Sequence, residues 1–217
     1  MSLEEMDSFF NARVDGYEQH MLKIAEAQRN YIDIARLIPV TPNLKILDLG
    51  CGTGLELDEI FKVNPTVGVM GIDLAADMLE KLRQKYAGRK SQLNLVLADY
   101  FEYDLGENIY DVALSVQTLH HFSYEAKIRM YKKILRSLKP SGFYIESDYV
   151  APDQEFEDYR FAESQRIRAE QGITEGFYHY DTPCTVENQA SMLQQAGFSQ
   201  VERISRRGNS ATLTARK

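Results

Sequence analysis

Three glycines on alternate positions follow an apolar run, and this loop is the part of the chain best suited to hold a cofactor. Residues 46–54 read ILDLGCGTG, with Gly50, Gly52 and Gly54 closing the segment. Glycine lets the backbone approach a ligand closely, because it has no side chain. The dinucleotide fingerprint GxGxxG needs a third glycine at position 55 or 57, where this chain has leucine. The loop therefore predicts a cofactor site of another kind.

Two acids stand at the ends of the next two predicted strands. Asp73 lies 19 residues after Gly54, a distance at which an acid can accept hydrogen bonds from both ribose hydroxyls. The alternative is a cap for the following helix, since aspartate is a favoured N-cap. Asp99 ends the third predicted strand and precedes Tyr100. Alone it would be a solvated loop acid, but its place in this series predicts a contact with the same ligand.

These features together resemble the class I S-adenosylmethionine-dependent methyltransferases. LDLGCGTG is similar to motif I of that family, and DVALSVQTLHHF at 111–122 and SLKPSGFYI at 137–145 are similar to its regions after strand four and before strand five. The resemblance implies S-adenosylmethionine as the cofactor, with the glycine loop facing its methionine part and Asp99 accepting from its adenine amino group. The residues assigned to the cofactor are Tyr17, Asp48, Gly50, Cys51, Gly52, Gly54, Asp73, Leu74, Met78, Ala98, Asp99, Tyr100, Ser115 and Gln117.

The resemblance further implies an enzyme that passes a methyl group to a small-molecule acceptor by in-line displacement. Such a protein has to align the acceptor, exclude water and, where needed, remove a proton. Among the side chains expected at the rim of the site we select His121, Glu146 and His179 as catalytic residues, since histidine titrates near neutrality. The alternative for each of them is a structural or surface role. No metal is predicted.

Other functions stay open on the same motifs. A nicotinamide-dependent oxidoreductase has a similar fold, although its glycine fingerprint is missing here. A non-catalytic regulator that binds S-adenosylmethionine would keep every motif named above. An enzyme that alters the sulfonium compound itself would keep them too.

The elements that must position these residues follow from hydrophobic periodicity and breaker residues. Strands are predicted at 45–49, 67–72, 93–98, 110–116, 142–149, 201–205 and 212–215, and helices at 55–63, 75–87, 123–138 and 186–196. Alternation of strand and helix favours parallel strands with ligands at their carboxyl ends. With the family resemblance, the sequence predicts an α/β fold, namely a doubly wound, mostly parallel seven-stranded sheet with a C-terminal antiparallel hairpin.

One methyltransferase domain is predicted over residues 1–217. Its parts are an N-terminal helical lid (1–38), a cofactor-binding core (44–150), a substrate-cap insertion (151–188) and a final helix with the hairpin (189–217). Apolar residues from Phe10 to Ile24 recur at helical spacing and predict a helix, and ordinary core packing is one explanation of this stripe. The other is the lid, which the family resemblance implies: an N-terminal helix that folds over the cofactor, with Tyr17 closing the pocket.

The charge and composition of the chain exclude some classes of binding partner. The formal net charge of −7 disfavours nucleic acid, because phosphate binding relies on clustered lysine and arginine. No apolar run is long enough to cross a membrane. Cys51 and Cys184 form neither a disulfide framework nor a metal-ligand cluster. We therefore expect a cytoplasmic protein with a small-molecule methyl acceptor and no nucleic-acid or membrane partner, while a homodimer stays open.

Overall fold

A seven-stranded sheet forms the centre of the protein. The computed structural model describes residues 2–217, apart from the side chains at 25 and 26; Met1, the first residue of the predicted lid, lies outside the described residues. The strands are β1 Lys45–Leu49, β2 Gly68–Asp73, β3 Leu93–Leu97, β4 Tyr110–Val116, β5 Leu138–Tyr149, β6 Gln200–Arg207 and β7 Ser210–Arg216. Their order is β3-β2-β1-β4-β5-β7-β6. Strands β1 to β5 pair in parallel, and β7 is antiparallel to β5 and β6. The predicted fold class and C-terminal hairpin are confirmed.

Helices cover both faces of this sheet. They are α1 Met6–Asn11, α2 Val14–Lys23, α3 Ala25–Leu37, α4 Leu55–Val63, α5 Ala76–Lys85, α6 Tyr124–Ser137, α7 Gln154–Glu170 and α8 Val186–Ala196. One buried cluster joins the sheet to α3, α4 and α5 through Ile34, Ile60 and Leu79. Another joins its opposite face to α6 and α8 through Tyr131 and Leu193. The layout is doubly wound. No described helix combines the length and apolar character that a bilayer-spanning segment requires.

Local signals explain where the later helices begin and end. Ser123, Asp153 and Thr185 each accept a hydrogen bond from a backbone N–H three residues further on, which satisfies a free donor at the start of α6, α7 and α8. Helix α8 ends at Gly197, whose φ of +108° suits glycine. Because α8 begins at Val186, the predicted boundary between residues 188 and 189 falls inside it.

Two other predicted segments differ in detail. The predicted N-terminal helix is split into α1 and α2, with Arg13 in a non-helical conformation between them. Residues 139–141, which separate the predicted helix at 123–138 from the predicted strand at 142–149, lie within β5 at an irregularity of its pairing. Tyr110 of β4 pairs with Leu138, but Val112 pairs with Phe143, so extra residues of β5 bulge out at this point.

The carboxyl ends of β1 and β4 meet where the strand order reverses, which is the usual ligand crevice of such sheets. Backbone bonds tie the strand tips together. The N–H of Gly50 donates to the carbonyl of Ile72 over 2.8 Å, and the N–H of Gln117 donates to that of Ser147 over 2.8 Å. The segments that follow these strands therefore share one edge of the sheet.

The N-terminal segment and the chain after α7 meet over this edge. The N–H of Met6 donates to the carbonyl of Phe177 over 3.0 Å, and the N–H of His179 donates to that of Glu4 over 2.9 Å. The N–H of Thr182 donates to the carbonyl of His120 over 2.7 Å. These bonds bring distant parts of the sequence against the tip of β4.

Candidate active site

The glycines of the loop after β1 meet different steric requirements. Gly50 has a φ of +65°, and a Cβ there would lie 2.5 Å from Cγ2 of Thr118. Gly52 has a φ of +47°, and a Cβ there would meet no heavy atom within 4 Å. Gly52 lines a cavity. A side chain at position 52 would thus occupy space that a ligand can use.

Asp73 faces the same cavity from the tip of β2. Its Oδ2 accepts a hydrogen bond from the N–H of Gly52 over 2.7 Å, and its Oδ1 accepts from the N–H of Ala75 over 2.8 Å. The second bond shapes the turn before α5, whose N-cap is Ala75, so Asp73 is not the cap of this helix that was considered as its alternative role. Burial raises the pKa of Asp73, against the effect of its backbone donors.

The cavity, about 60 Å³ in volume, lies between the glycine loop, the tip of β2 and the N-terminal segment. Eight of the residues assigned to the cofactor from the sequence line this first cavity. They are Tyr17, Gly50, Gly52, Asp73, Leu74, Met78, Tyr100 and Gln117.

Six of the assigned residues stand outside its wall, namely Asp48, Cys51, Gly54, Ala98, Asp99 and Ser115. Ser115 is buried and shares a 2.6 Å hydrogen bond with the hydroxyl of Tyr144. Asp99 accepts the N–H of Phe101 over 2.7 Å and so shapes the turn after β3. Cys51 is buried, and its Sγ lies where a Cβ at Gly71 would be only 2.8 Å away.

Sequence patterns missed another part of the wall, formed by Met6, Asp7, Phe10, Ala75, Val116, Thr118 and Phe122. Val116 and Thr118 flank Gln117 in the chain. Their position at the end of β4 is a signal from which they could have been predicted. Met6 and Asp7 belong to no sequence motif. They reach the site through the long-range packing of α1, which the sequence pattern does not indicate.

Gln117 has a backbone conformation that marks this place in the chain. Its φ is +53°, which non-glycine residues rarely adopt. The bond from its N–H to the carbonyl of Ser147 holds it there. Backbone strain of this kind clusters at binding and catalytic sites.

Polar atoms beneath the loop lack partners. Among the described residues, Oδ2 of Asp48, Oγ1 of Thr53 and Oε1 of Glu56 are buried without a hydrogen bond. Burial and then the charge of Glu56 raise the pKa of Asp48, and burial raises that of Glu56. Neighbouring buried carboxyls favour a cation, and S-adenosylmethionine carries an ammonium group on its methionine part. With the open face of Gly52 and the carboxylate of Asp73, this donor set fits that cofactor.

A second cavity of about 730 Å³ adjoins the first. Phe10, Tyr17, Gln117 and His121 line both. The second cavity is also lined by Arg13 and by a group of polar residues, His20, His120, His179 and Asp181. The two cavities therefore share part of their walls.

Two of the predicted catalytic residues meet at the second cavity. The rings of His121 and His179 have centroids 4.9 Å apart, and His179 stacks on Phe9 at 3.5 Å. Burial and then the charge of His120 lower the pKa of His121 to about 4. Burial lowers the pKa of His179 as well. Both imidazoles are therefore neutral at pH 7.

Their neighbour His120 behaves differently. Burial acts to lower its pKa, but Asp148 and Asp181 together raise it to about 9. The Nδ1 atom of His120 lies 2.5 Å from Oδ1 of Asp148. Oδ2 of Asp148 accepts the N–H of Leu119 over 2.9 Å, which fixes the carboxylate.

Glu146 corrects the sequence-based expectation of a rim residue. Its side chain is fully buried in the sheet face that packs on α6, and the hydroxyl of Tyr131 donates to its two carboxylate oxygens over 2.9 and 2.8 Å. Glu146 lines neither cavity. Burial and then the charge of Asp148 raise its pKa to about 7. The structure therefore places Glu146 among the core carboxyls, outside both cavities.

Fold and site together define an α/β protein that binds a nucleoside cofactor at a strand switch point. A family model described as a methyltransferase domain matches residues 46–142. The chain is 30% identical to the carboxy-S-adenosyl-L-methionine synthase of Wolinella succinogenes, over 79% of this chain and 75% of that protein. It is 30% identical to a phosphoethanolamine N-methyltransferase of Triticum aestivum, over 81% of this chain but only 31% of the relative.

A solved structure agrees on the fold. Human N-acetylserotonin methyltransferase in complex with S-adenosylmethionine superposes with a TM-score of 0.68 at 17% identity, over 95% of this chain and 56% of that one. The chain belongs to the class I S-adenosylmethionine-dependent methyltransferases, and S-adenosylmethionine is its cofactor.

Proposed function

We propose that this protein transfers the methyl group of S-adenosylmethionine to a small-molecule acceptor in the second cavity. The wall that the two cavities share carries the proposal, because Phe10, Tyr17, Gln117 and His121 border both. An acceptor in the larger cavity would lie next to the cofactor. Proximity and alignment are most of what methyl transfer asks of a protein.

Residues of the first cavity hold and orient the cofactor in this proposal. The open backbone face of Gly52 lies against it, and Asp73 accepts hydrogen bonds from its ribose hydroxyls. Asp48, which is buried behind the wall of this cavity, attracts the ammonium group of the cofactor. Bound S-adenosylmethionine supplies a methyl carbon made electrophilic by a positively charged sulfur. Phe10 and Tyr17 cover the site and exclude water.

Residues of the second cavity act on the acceptor. His121 and His179 contact it, and His179 takes up a proton where the receiving atom carries one. Both are close enough to the shared wall for this role, with His121 forming part of it. Glu146 has no part in the proposal, since it is enclosed by the sheet and α6.

A small metabolite is a better partner than a polymer. The net charge of −7 opposes nucleic acid, and the second cavity has a volume typical of small-molecule sites. Cys51 and Cys184 are free thiols, which suits the reducing cytoplasm that we propose as the compartment.

A second candidate is modification of the cofactor itself, as the name of the Wolinella succinogenes relative indicates for that protein. A carboxylated cofactor carries an added negative charge and would need a cation beside it. Among the described lining residues, the second cavity has two cations, Arg13 and the protonated His120, and both already pair with carboxylates, Arg13 with Glu4 at 2.9 Å and His120 with Asp148 at 2.5 Å. Methyl transfer to a separate acceptor is therefore the preferred function.

One experiment separates the remaining functions. The protein is incubated with S-adenosylmethionine labelled in its methyl group and with fractionated metabolite extracts, and both products are analysed by mass spectrometry. Methyl transfer predicts a labelled metabolite together with S-adenosylhomocysteine. A cofactor heavier by a carboxyl group would support the second candidate. Cofactor binding without any product would leave the non-catalytic regulator and refute the proposal.

A further inference from the structure

Three histidines surround one carboxylate oxygen at the second cavity. Oδ1 of Asp181 lies 3.3 Å from Nδ1 of His121, 3.5 Å from Nε2 of His120 and 3.9 Å from Nε2 of His179. Hydrogen bonds from nitrogen to oxygen have separations of roughly 2.7–3.2 Å. Oδ1 of Asp181 is buried, and no hydrogen bond reaches it within the part of the chain that the structure describes. The group converges at ion-pair distances rather than through short hydrogen bonds.

The distances from Oδ1 of Asp181 to His121 and His120, 3.3 and 3.5 Å, match those between ligands of one metal ion. Imidazole nitrogen and carboxylate oxygen lie about 2.0–2.2 Å from a zinc-like divalent ion, which places adjacent ligand atoms roughly 3–3.5 Å apart. One ligand atom each of His120, His121 and Asp181 all lie within 4.8 Å of one another. Two imidazoles and one carboxylate form a ligand set that divalent transition metals favour, and it leaves coordination positions open.

Asp148 orients one of these ligands from behind. Its Oδ1 lies 2.5 Å from Nδ1 of His120 and holds one imidazole proton there, so loss of the second proton from Nε2 to solvent frees a lone pair directed toward Asp181. A carboxylate behind a histidine is the usual support of a metal ligand. The carboxylates of Asp148 and Asp181 together also match the charge of a divalent ion.

We infer that His120, His121 and Asp181 form a binding site for a divalent transition-metal ion at the wall of the second cavity. The inference replaces the expectation of a metal-free site. When the ion binds, Nδ1 of His121 gives up its long 3.4 Å contact with the carbonyl of Tyr180 and coordinates the ion instead. His179 stays outside the ligand set, and the open positions of the ion face the cavity.

An ion at this place defines the chemistry of the acceptor. It would bind oxygen donors such as neighbouring hydroxyl or carboxylate groups and hold them beside the shared wall. This role for the acceptor rests on the proposed function, whereas the binding of the ion does not.

Cobalt(II) is the probe for the test, because its visible absorption reports imidazole and carboxylate ligands. Protein freed of metal is titrated with Co²⁺, and thermal unfolding is recorded with and without the ion. We expect one ion per chain, visible bands and a higher melting temperature, since a ligand of the folded state stabilises it. Asp181→Asn should weaken binding at least about tenfold.

Control variants make the test specific. His20→Gln removes an exposed histidine that lines the same cavity outside the ligand set, so it should bind Co²⁺ as the wild type does. The side chain of Asp181 is 33% exposed, and asparagine keeps its shape. If that variant nevertheless fails to fold, NMR of the wild type decides, because one equivalent of Co²⁺ should broaden the ring signals of His120 and His121 and spare those of His20.

Absence of Co²⁺ binding overturns the inference, and so does binding that Asp181→Asn leaves unchanged or broadening that includes His20. Co²⁺ binding in a protein that transfers no methyl group would keep the metal site and refute only the proposed function. The two proposals therefore fail separately.

Discussion

The backbone N–H of Gly52 and Oδ2 of Asp73 form a 2.7 Å hydrogen bond between the glycine loop and the tip of β2. The two residues are 21 positions apart in the chain, yet they form one surface of the first cavity. This contact brings two separate sequence motifs to one cavity.

Replacement of Asp73 by asparagine should weaken cofactor binding. Hydrogen bonds to a charged group contribute about 1.5–3 kcal/mol each, so we expect the affinity for S-adenosylhomocysteine to fall about 10- to 100-fold by calorimetry. Asp77→Asn is the matched control, because Asp77 is exposed in the first turn of α5. Unchanged affinity of the Asp73 variant would show that this carboxylate does not contact the ligand.

Replacement of Gly52 by alanine should affect binding more than folding. The added methyl group enters the first cavity, and the φ of +47° costs about 1–2 kcal/mol for a residue with a Cβ. Gly172→Ala carries the same backbone cost, because Gly172 has a φ of +65° and open space around it. We expect similar losses of unfolding free energy in both variants, but weaker binding of S-adenosylhomocysteine only in Gly52→Ala. Equal binding by the two variants would place the ligand elsewhere.

The parts of the site predictable from sequence are those with a local signal. Buried strand runs, the glycine loop and Asp73 are set by neighbours in the chain, and the structure places them where the pattern indicates. Glu146 had no such signal, because only the packing of α6 decides which face of β5 is closed. Its partner Tyr131 lies 15 residues away on that helix.

Residues brought together by long-range contacts escaped prediction for the same reason. Met6 reaches the first cavity because its backbone is bonded to Phe177. Asp181 meets His121 through the chain after α7, 60 positions further on. Neither segment has a motif, and both depend on how the N-terminal residues and the insertion pack over the sheet edge.

Replacement of Glu146 by glutamine should raise stability at alkaline pH. The pKa of this buried carboxyl is about 7 in the fold against an ordinary value of 4.5, so the fold favours its protonated form. The stabilisation is present below pH 4.5 and is lost as the pH rises through 7. Glutamine keeps an oxygen to accept from Tyr131 and does not titrate.

Urea unfolding of this variant and the wild type at pH 5 and pH 8 checks the result. We expect the difference in unfolding free energy to move in favour of Glu146→Gln by on the order of 2 kcal/mol between the two pH values. Glu155→Gln, an exposed glutamate in the first turn of α7, should track the wild type. A pH dependence that is the same in all three proteins would contradict the raised pKa.

The N-terminal helices should become more rigid when the cofactor binds. A first cavity of about 60 Å³ is smaller than the roughly 300 Å³ or more that bound small molecules occupy, so Phe10 and Tyr17 must move aside to admit S-adenosylmethionine and then close over it. Helix α2 has no fully buried residue, and Lys81 ties its start to α5 through the carbonyl of Val14 over 2.8 Å. Such weakly packed elements open at low free energy.

Hydrogen exchange of the amides at 6–23 should therefore slow about tenfold or more with saturating S-adenosylhomocysteine, while exchange in α8, on the opposite part of the fold, stays constant. Tyr17→Ala should remove most of this protection. Tyr159→Ala, which truncates an exposed ring on α7, is the control and should retain the protection. Equal exchange with and without ligand would mean that the segment is not a lid.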